Sequence, residues 1–224
     1  MKRLPAFLLI ALLVYPASAG GAGFQRTQVP DPDGKPIEVG IWYPSNSPVP
    51  HEPNTPFRQP LALAGEIRGT ALPMVLLSHG DGGWMGGHAD TALALAEAGY
   101  IAVALTHPGN NYQDNDAPPS RWVLDRPRHI KSVIDHMLSG WQERERIDGT
   151  RIGIFGFSAG GYTALVAAGG VPDIGRAIAH CANYPGELVC RTGMVADLAA
   201  ADIENLPASD WQHDSRIGAA VIAA

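Results

Sequence analysis

The sequence predicts an α/β protein with a mostly parallel sheet, helices on both faces and an antiparallel hairpin at the N-terminal end. Short apolar runs, among them Met74–Ser78 and Ile101–Leu105, alternate with segments whose apolar residues recur at helical spacing. This alternation is typical of strand–helix–strand units. In Arg151–Gly170 a buried strand passes directly into a helix. A chain of 224 residues suits one domain of this kind.

The hairpin is predicted from two strand-like runs, Phe24–Val29 and Ile37–Tyr43. They flank the turn sequence Asp31-Pro32-Asp33-Gly34. The next segment, Pro44–Pro60, is crowded with Pro, Ser and Asn, which predicts a long surface loop. Core-like sequence lies on both sides of this loop, so it is not expected to divide the chain into two domains.

Two helices are predicted in the middle of the chain. Asp90–Ala98 has Asp90 as its expected N-cap and Gly99 as its stop. A second helix is expected to follow Asp125 and to end at Gly140. The apolar residues of this second helix form one core-facing stripe: Ile130, Val133, Ile134, Met137 and Leu138.

The C-terminal part gives a weaker pattern. Val171–Asp210 has no clear periodicity and is predicted to be irregular. Arg216–Ala224 predicts one more buried strand, because it is short, apolar and partly β-branched.

The first residues have the layout of a secretory signal peptide. Lys2 and Arg3 precede the apolar run Leu4–Val14, and Ala17-Ser18-Ala19 supplies a cleavage site. The expected division is a signal peptide at residues 1–19 and one α/β domain at 20–224, periplasmic or secreted, without a stable membrane anchor. The 16 basic and 22 acidic residues give a net charge of −6, and this acidic balance does not favour binding to nucleic acid.

Export from the cytoplasm bears on the redox state of the two cysteines. Cys181 and Cys190 are the only cysteines, and an oxidising compartment favours a disulfide between them. The alternative is two free buried thiols. Neither cysteine lies in metal-ligand spacing, and no nucleotide-binding glycine motif follows the first strand, so neither a metal nor a cofactor is expected.

Ser158 is the candidate catalytic residue. It lies in Gly156-Phe157-Ser158-Ala159-Gly160, which matches G-x-S-x-G between a predicted strand and a predicted helix. In this context a sharp turn exposes the serine hydroxyl above the sheet, and the glycines leave room for close packing. The pattern also occurs by chance in glycine-rich chains, and the flanking strand and helix favour the nucleophile.

A second candidate feature is the sequence His79-Gly80-Asp81-Gly82-Gly83 after the strand Met74–Ser78. Glycines directly after a strand let amide N–H groups point at a ligand, as in an oxyanion hole. The alternative is a flexible loop without a chemical role. His79 is expected to hold this loop by packing and hydrogen bonding, and His107 is a candidate substrate contact at the end of a strand.

Three segments together resemble a known family: Trp42-Tyr43-Pro44, Ser78-His79-Gly80 and Gly156–Gly161. They are similar to α/β-hydrolases, and more narrowly to the dienelactone-hydrolase-like group near the bacterial platelet-activating-factor acetylhydrolases. The resemblance implies a serine hydrolase of small carboxylic esters or lactones. It implies Ser158 as the acyl-accepting nucleophile and the backbone N–H groups of Asp81 and Ala159 as the oxyanion hole.

The general base is not assigned from the sequence. In this fold the order is Ser, then Asp or Glu, then His. His180 and His213 are the histidines after Ser158, and neither lies where the family would place its base. The acid and the histidine, with further strands, are therefore expected beyond residue 224, and the chain alone is expected to lack turnover. The alternative function is a non-catalytic binding protein that retains the hydrolase scaffold.

Overall fold

A computed structural model describes residues 21–32 and 34–224. The predicted signal peptide at residues 1–19 lies outside the described residues. One sheet of seven strands has the order β3-β1-β2-β5-β4-β6-β7. The strands are β1 (Ala22–Val29), β2 (Ile37–Pro44), β3 (Ala62–Leu63), β4 (Leu72–Ser78), β5 (Ile101–Thr106), β6 (Ile147–Phe157) and β7 (Ile217–Ala223).

The sheet is mixed and mostly parallel, as predicted. β1 pairs with β2 as the expected antiparallel hairpin, and β2 pairs antiparallel with β5. The four pairs β1/β3, β4/β5, β4/β6 and β6/β7 are parallel. The carboxyl ends of β4, β5 and β6 therefore lie at the same edge of the sheet. That edge is where ligands bind in α/β sheets.

Helices cover both faces of the sheet. They are α1 (Ala89–Glu97), α2 (Pro119–Ser139), α3 (Ala159–Ala167), α4 (Ile174–Asn183), α5 (Leu188–Arg191) and α6 (Met194–Ala200), with 3-10 turns at Arg144–Arg146, Ile203–Asn205 and Ala208–Asp210. Successive strand residues point to opposite faces. Accordingly Leu77 packs in the cluster with α1, whereas Leu76 packs with α2 and α3. The predicted α/β-hydrolase architecture is confirmed.

The start of α2 differs from the prediction. The helix begins at Pro119, six residues before Asp125, and continues through Pro127. Proline cannot donate to the carbonyl four residues earlier, which here is that of Val123. The Tyr162 hydroxyl on α3 donates to this carbonyl at 3.4 Å. A partner 39 residues away in sequence therefore offsets the lost bond, and it allows the proline inside the helix.

The prediction that Val171–Asp210 is irregular is wrong, because this segment forms α4, α5 and α6. Asp173 caps α4 by accepting a hydrogen bond from the Arg176 N–H at 2.8 Å. The three helices are short and interrupted by loops, which hides their periodicity. Their few apolar residues pack with Trp122 and Trp211 in a separate small cluster.

The predicted disulfide is confirmed: Cys181 on α4 is bonded to Cys190 on α5. It closes a short loop and holds the four-residue helix α5, whose Leu188 is largely exposed. An isolated helix of this length is not stable by itself. The disulfide therefore fixes the position of α5. No helix among the described residues is long and apolar enough to cross a membrane.

Removing the disulfide is expected to loosen α5 without unfolding the sheet. Closure of a loop this short contributes about 2 to 3 kcal/mol in the chain-entropy model. In Cys181→Ser/Cys190→Ser we expect protease cleavage between residues 184 and 193 to accelerate at least ~tenfold, because local opening costs less free energy. Limited proteolysis with peptide mapping measures this. Equal cleavage rates in the variant and the wild type would contradict it.

Candidate active site

Ser158 lies at the corner between β6 and α3. β6 ends at Phe157 and α3 begins at Ala159, and the serine between them has φ 53° and ψ −118°. A positive φ is strained for a residue other than glycine, and such residues cluster at functional sites. The Ser158 N–H donates to the Ala223 carbonyl of β7 at 2.8 Å. This hydrogen bond holds the turn in place, and Ser158 remains exposed to solvent.

Glycines allow the corner to pack closely. A Cβ on Gly156 would lie 1.9 Å from the carbonyl oxygen of Gly160. A Cβ on Gly160 would lie 2.0 Å from the carbonyl oxygen of Ser78. Both distances are far below van der Waals contact. The ends of β4 and β6 and the start of α3 therefore require glycine at these two positions, as the motif predicts.

The segment His79–Gly83, here called the glycine-rich loop, lies beside the serine. A Cβ on Gly80 would be only 3.6 Å from the Cβ of Ser158. Asp81, Ser158 and Ala159 line the same cavity, which has a volume of about 630 Å³. The structure thus brings together the three residues that the sequence selected for a catalytic centre.

The cavity is lined by both polar and apolar side chains. The polar lining residues are Asp81, Asn110, Asn115 and Asp116. The apolar lining comes from α2, α3, α5 and α6: Trp122, Tyr162, Leu188, Val189 and Met194. Because α5 belongs to this lining, the disulfide helps to shape the cavity. The arrangement suits a small organic ligand with one polar part.

The histidine at the start of the glycine-rich loop has the structural role expected of it. The His107 backbone N–H donates to His79 Nε2 at 3.1 Å, so His79 carries its proton on Nδ1. That nitrogen lies 2.6 Å from the Gly80 carbonyl oxygen and donates to it. His79 is 2% exposed and ties the loop to the end of β5.

The prediction that His107 contacts substrate is wrong. His107 is fully buried and belongs to a line of polar side chains beneath the loop. Its Nε2 lies 2.9 Å from Ser78 Oγ, and its Nδ1 lies 3.3 Å from His129 Nδ1. His129 Nε2 in turn lies 3.3 Å from Asp31 Oδ2. The side chain therefore points into the core, because its hydrogen-bond partners lie there.

The line of polar groups has one consistent direction. A carboxylate oxygen can only accept, so we assign the proton of His129 to Nε2, which faces Asp31 Oδ2 at 3.3 Å, and His129 Nδ1 then accepts from His107 Nδ1–H. His107 Nε2 then accepts from the Ser78 hydroxyl, and Ser78 Oγ accepts from Arg126 Nη2 at 3.2 Å. Each imidazole is neutral in this pattern. The line runs from a buried guanidinium to a buried carboxylate.

Burial keeps these histidines neutral. It lowers the pKa of His79 to about 3 and that of His129 to about 4, and it lowers the pKa of His107 well below 6.5. The charge of Arg126 also lowers all three pKa values. Burial lowers the pKa of Arg126 itself to about 9, so the guanidinium remains charged at neutral pH.

Sequence reasoning missed Arg126 and Asn110, which connect this network to the cavity. Arg126 Nη1 donates to Asn110 Oδ1 at 2.7 Å, and Asn110 Nδ2 donates to Asp81 Oδ1 at 2.6 Å. Arg126 lies one turn from both Trp122 and Ile130 on the buried side of α2. A charged residue within an apolar helix stripe was the signal that could have found it.

Within residues 21–32 and 34–224, no histidine lines the cavity that contains Ser158. His180 Nε2 pairs with Glu187 Oε2 at 2.9 Å on the surface, and His213 is exposed. Neither histidine lines the cavity that contains Ser158. The described chain also has no group of three or more His, Cys, Asp or Glu residues arranged to hold a metal ion.

The mostly parallel sheet with helices on both faces, and the serine at the turn between β6 and α3, identify the fold as that of the α/β-hydrolases. Residues 62–207 match the Dienelactone hydrolase family, and the chain belongs to this family. No curated protein sequence matches the chain.

Solved structures with the same fold include esterases. The ferulic acid esterase from Streptomyces cinnamoneus is 22% identical with a TM-score of 0.57, and the match covers 68% of this chain and 56% of that one. A hypothetical protein from Pseudomonas aeruginosa is 17% identical with a TM-score of 0.51, over 85% of this chain and 56% of that one. These identities show the fold alone, and the chain spans 56% of the length of each structure.

Proposed function

We propose that the protein is a serine hydrolase of small carboxylic esters or lactones, with Ser158 as the nucleophile. The observation that carries the proposal is an exposed serine with φ 53°, placed beside the glycine-rich loop in the wall of a cavity of about 630 Å³. Membership of the Dienelactone hydrolase family supports it. The name of the similar Streptomyces protein, a ferulic acid esterase, supports the same class of substrate.

In the proposed reaction, a base takes the Ser158 hydroxyl proton as Oγ forms a bond to the carbonyl carbon, and the carbonyl π electrons move to the oxygen. The backbone N–H groups of Asp81 and Ala159 donate to this oxyanion. Loss of one such donor typically costs about 3 kcal/mol, roughly a hundredfold or more in rate. Collapse of the tetrahedral intermediate expels the alkoxide, which takes the proton held by the base. Water then cleaves the acyl-serine ester, which releases the carboxylic acid and restores the Ser158 hydroxyl. In a lactone the leaving hydroxyl stays attached to the acyl group.

The cavity supports an ester with an apolar portion. Trp122, Leu188 and Val189 offer apolar contacts, and Asp81 and Asp116 offer acceptors for a hydroxyl group. The base that deprotonates Ser158 is not assigned. The acid and histidine expected beyond residue 224 stay a prediction. Export by cleavage after Ala19 is likewise part of the proposal, and the disulfide supports an oxidising compartment.

A fluorophosphonate probe tests the nucleophile. The complete gene product is expected to be labelled at Ser158, as mapped by peptide mass spectrometry, and to hydrolyse p-nitrophenyl acetate. Ser158→Ala should lose both signals. Ser139→Ala, at an exposed serine near the end of α2, is the matched control and should keep both. Labelling that persists in Ser158→Ala would overturn the assignment.

The same assay separates the alternative function. A binding protein that only retains the scaffold would not react with the probe and would not hydrolyse the ester, although the cavity would still bind ligands. A chain that ends at residue 224 tests the predicted position of the base. Labelling of that chain as fast as the complete product would contradict an acid and histidine further on.

A further inference from the structure

Arg126 is a buried cation without an ion-pair partner in contact. Its side chain is fully buried on α2, and within the part of the chain that the structure describes no carboxylate oxygen contacts the guanidinium. Its Nε atom is buried without a hydrogen-bond partner in the same residues. A buried charge without an ion-pair partner in contact costs several kcal/mol, and the more distant carboxylate of Asp81 offsets only part of this cost. A residue retained at such a cost for packing alone would be replaced at a gain by an apolar side chain.

The hydrogen bonds of Arg126 converge on the glycine-rich loop. The guanidinium donates to the carbonyl oxygen of His79 and to the hydroxyl of Ser78, and these residues lie directly before Gly80. It also donates to Asn110, which holds the side chain of Asp81. The loop is therefore held by one guanidinium at its first peptide and, through Asn110, at its third residue.

We propose that Arg126 is a positioning residue of the glycine-rich loop, which fixes the Asp81 amide relative to Ser158 and so sets the oxyanion hole. This inference rests on the function proposed above. Arg126 does not touch substrate, because its side chain is fully buried and does not line the cavity. Its Cζ lies 5.9 Å from the ring centroid of Trp122, which does line it. It acts through the His79 carbonyl and the Asn110 amide.

The planar fork of the guanidinium is needed because three acceptors lie in different directions. An ammonium group has one nitrogen and cannot span the His79 carbonyl, Ser78 Oγ and Asn110 Oδ1 together. Arg126→Lys keeps the charge and removes this geometry, whereas Arg126→Met removes both. Misplacement of a catalytic group by about 1 Å can cost roughly a hundredfold in rate.

The kinetic test compares an oxoester with the thionoester in which sulfur replaces the carbonyl oxygen. Sulfur is a weak hydrogen-bond acceptor, so the ratio of the two kcat values reports the oxyanion hole. In both Arg126 variants we expect kcat for the oxoester to fall about a hundredfold, with KM changed less than ~threefold. The oxoester-to-thionoester ratio should fall as well. Hydrogen exchange of the amides in residues 79–83 should accelerate.

Met137→Ala is the matched control. Met137 is fully buried on the same helix, about 16 Å along its axis from Arg126. Its truncation lowers stability without touching the loop, so the kcat ratio and the exchange of residues 79–83 should stay at wild-type values. If the Arg126 variants behave like Met137→Ala in both measurements, the inference is overturned.

The two proposals fail in different ways. If the wild-type protein hydrolyses neither ester and exchange in residues 79–83 still accelerates in the Arg126 variants, the esterase proposal fails and the positioning of the loop stands. If the wild type is active and the variants keep its kcat ratio and exchange, the esterase proposal stands and the role of Arg126 is rejected.

Discussion

Gly156→Ala is expected to lower the free energy of unfolding by about 3 kcal/mol or more. The new methyl group would lie 1.9 Å from the carbonyl oxygen and 2.4 Å from the carbonyl carbon of Gly160. Overpacking usually costs about 1 to 3 kcal/mol, and more where the neighbour cannot move. Here the neighbours are backbone atoms of α3, so relief requires β6 and α3 to separate. Urea unfolding followed by circular dichroism measures the loss.

Gly153→Ala is the matched control in the same strand. A Cβ at Gly153 would lie 3.5 Å from the nearest atom, the Ala219 carbonyl oxygen, which is ordinary contact. Its substitution is expected to change the free energy of unfolding by less than ~1 kcal/mol. Equal losses in the two variants would show that the close packing at the serine corner is not what requires glycine at position 156.

Displacement of α3 should also affect the site. Ser158 lies between β6 and α3, and its N–H is bonded to Ala223. Any variant of Gly156 that remains folded is therefore expected to react more slowly with the fluorophosphonate probe. The same rate as wild type in a folded variant would mean that the corner tolerates the separation.

The sequence predicted the parts of this site that depend on local pattern. Three of these parts are each formed by one continuous segment: the strand that ends at Phe157, the helix that begins at Ala159 and the glycine-rich loop. Local steric rules decide their geometry, so a single segment is enough to predict them. The end of α1 followed in the same way from Gly99, whose φ is 94°.

The parts that were missed depend on contacts between distant segments. Arg126 contacts a carbonyl 47 residues earlier, and no local pattern shows that such a partner exists. The Tyr162 hydroxyl on α3 donates to the Val123 carbonyl on α2, so Pro127 does not end α2 as a proline usually would. Tertiary contacts overrode the local preferences in each of these cases.

The buried histidines predict that stability falls in weak acid. His79 and His129 have pKa values lowered to about 3 and about 4 by burial, whereas in the unfolded chain each is near 6.5. At pH values between the folded-state and unfolded-state pKa, these histidines are protonated in the unfolded protein and neutral in the folded protein. Their contribution to stability is therefore fully present above pH 6.5 and is lost as the pH falls toward 4. The Asp148 carboxylate has a pKa lowered to about 2, so it changes the stability only below about pH 4.

The free energy of unfolding is expected to be at least about 4 kcal/mol lower at pH 5 than at pH 7, because His79 and His129 together contribute about that much and the buried His107 acts in the same direction. Urea unfolding at half-unit intervals of pH measures this. His129→Gln should reduce the slope near pH 5 by about 1.4 kcal/mol per pH unit, because it removes one proton from the difference between the two states. Met137→Ala should shift the whole curve downward and leave the slope unchanged. A slope that His129→Gln does not reduce would mean that this histidine is protonated in the folded protein, in conflict with its burial beside Arg128 and Arg126.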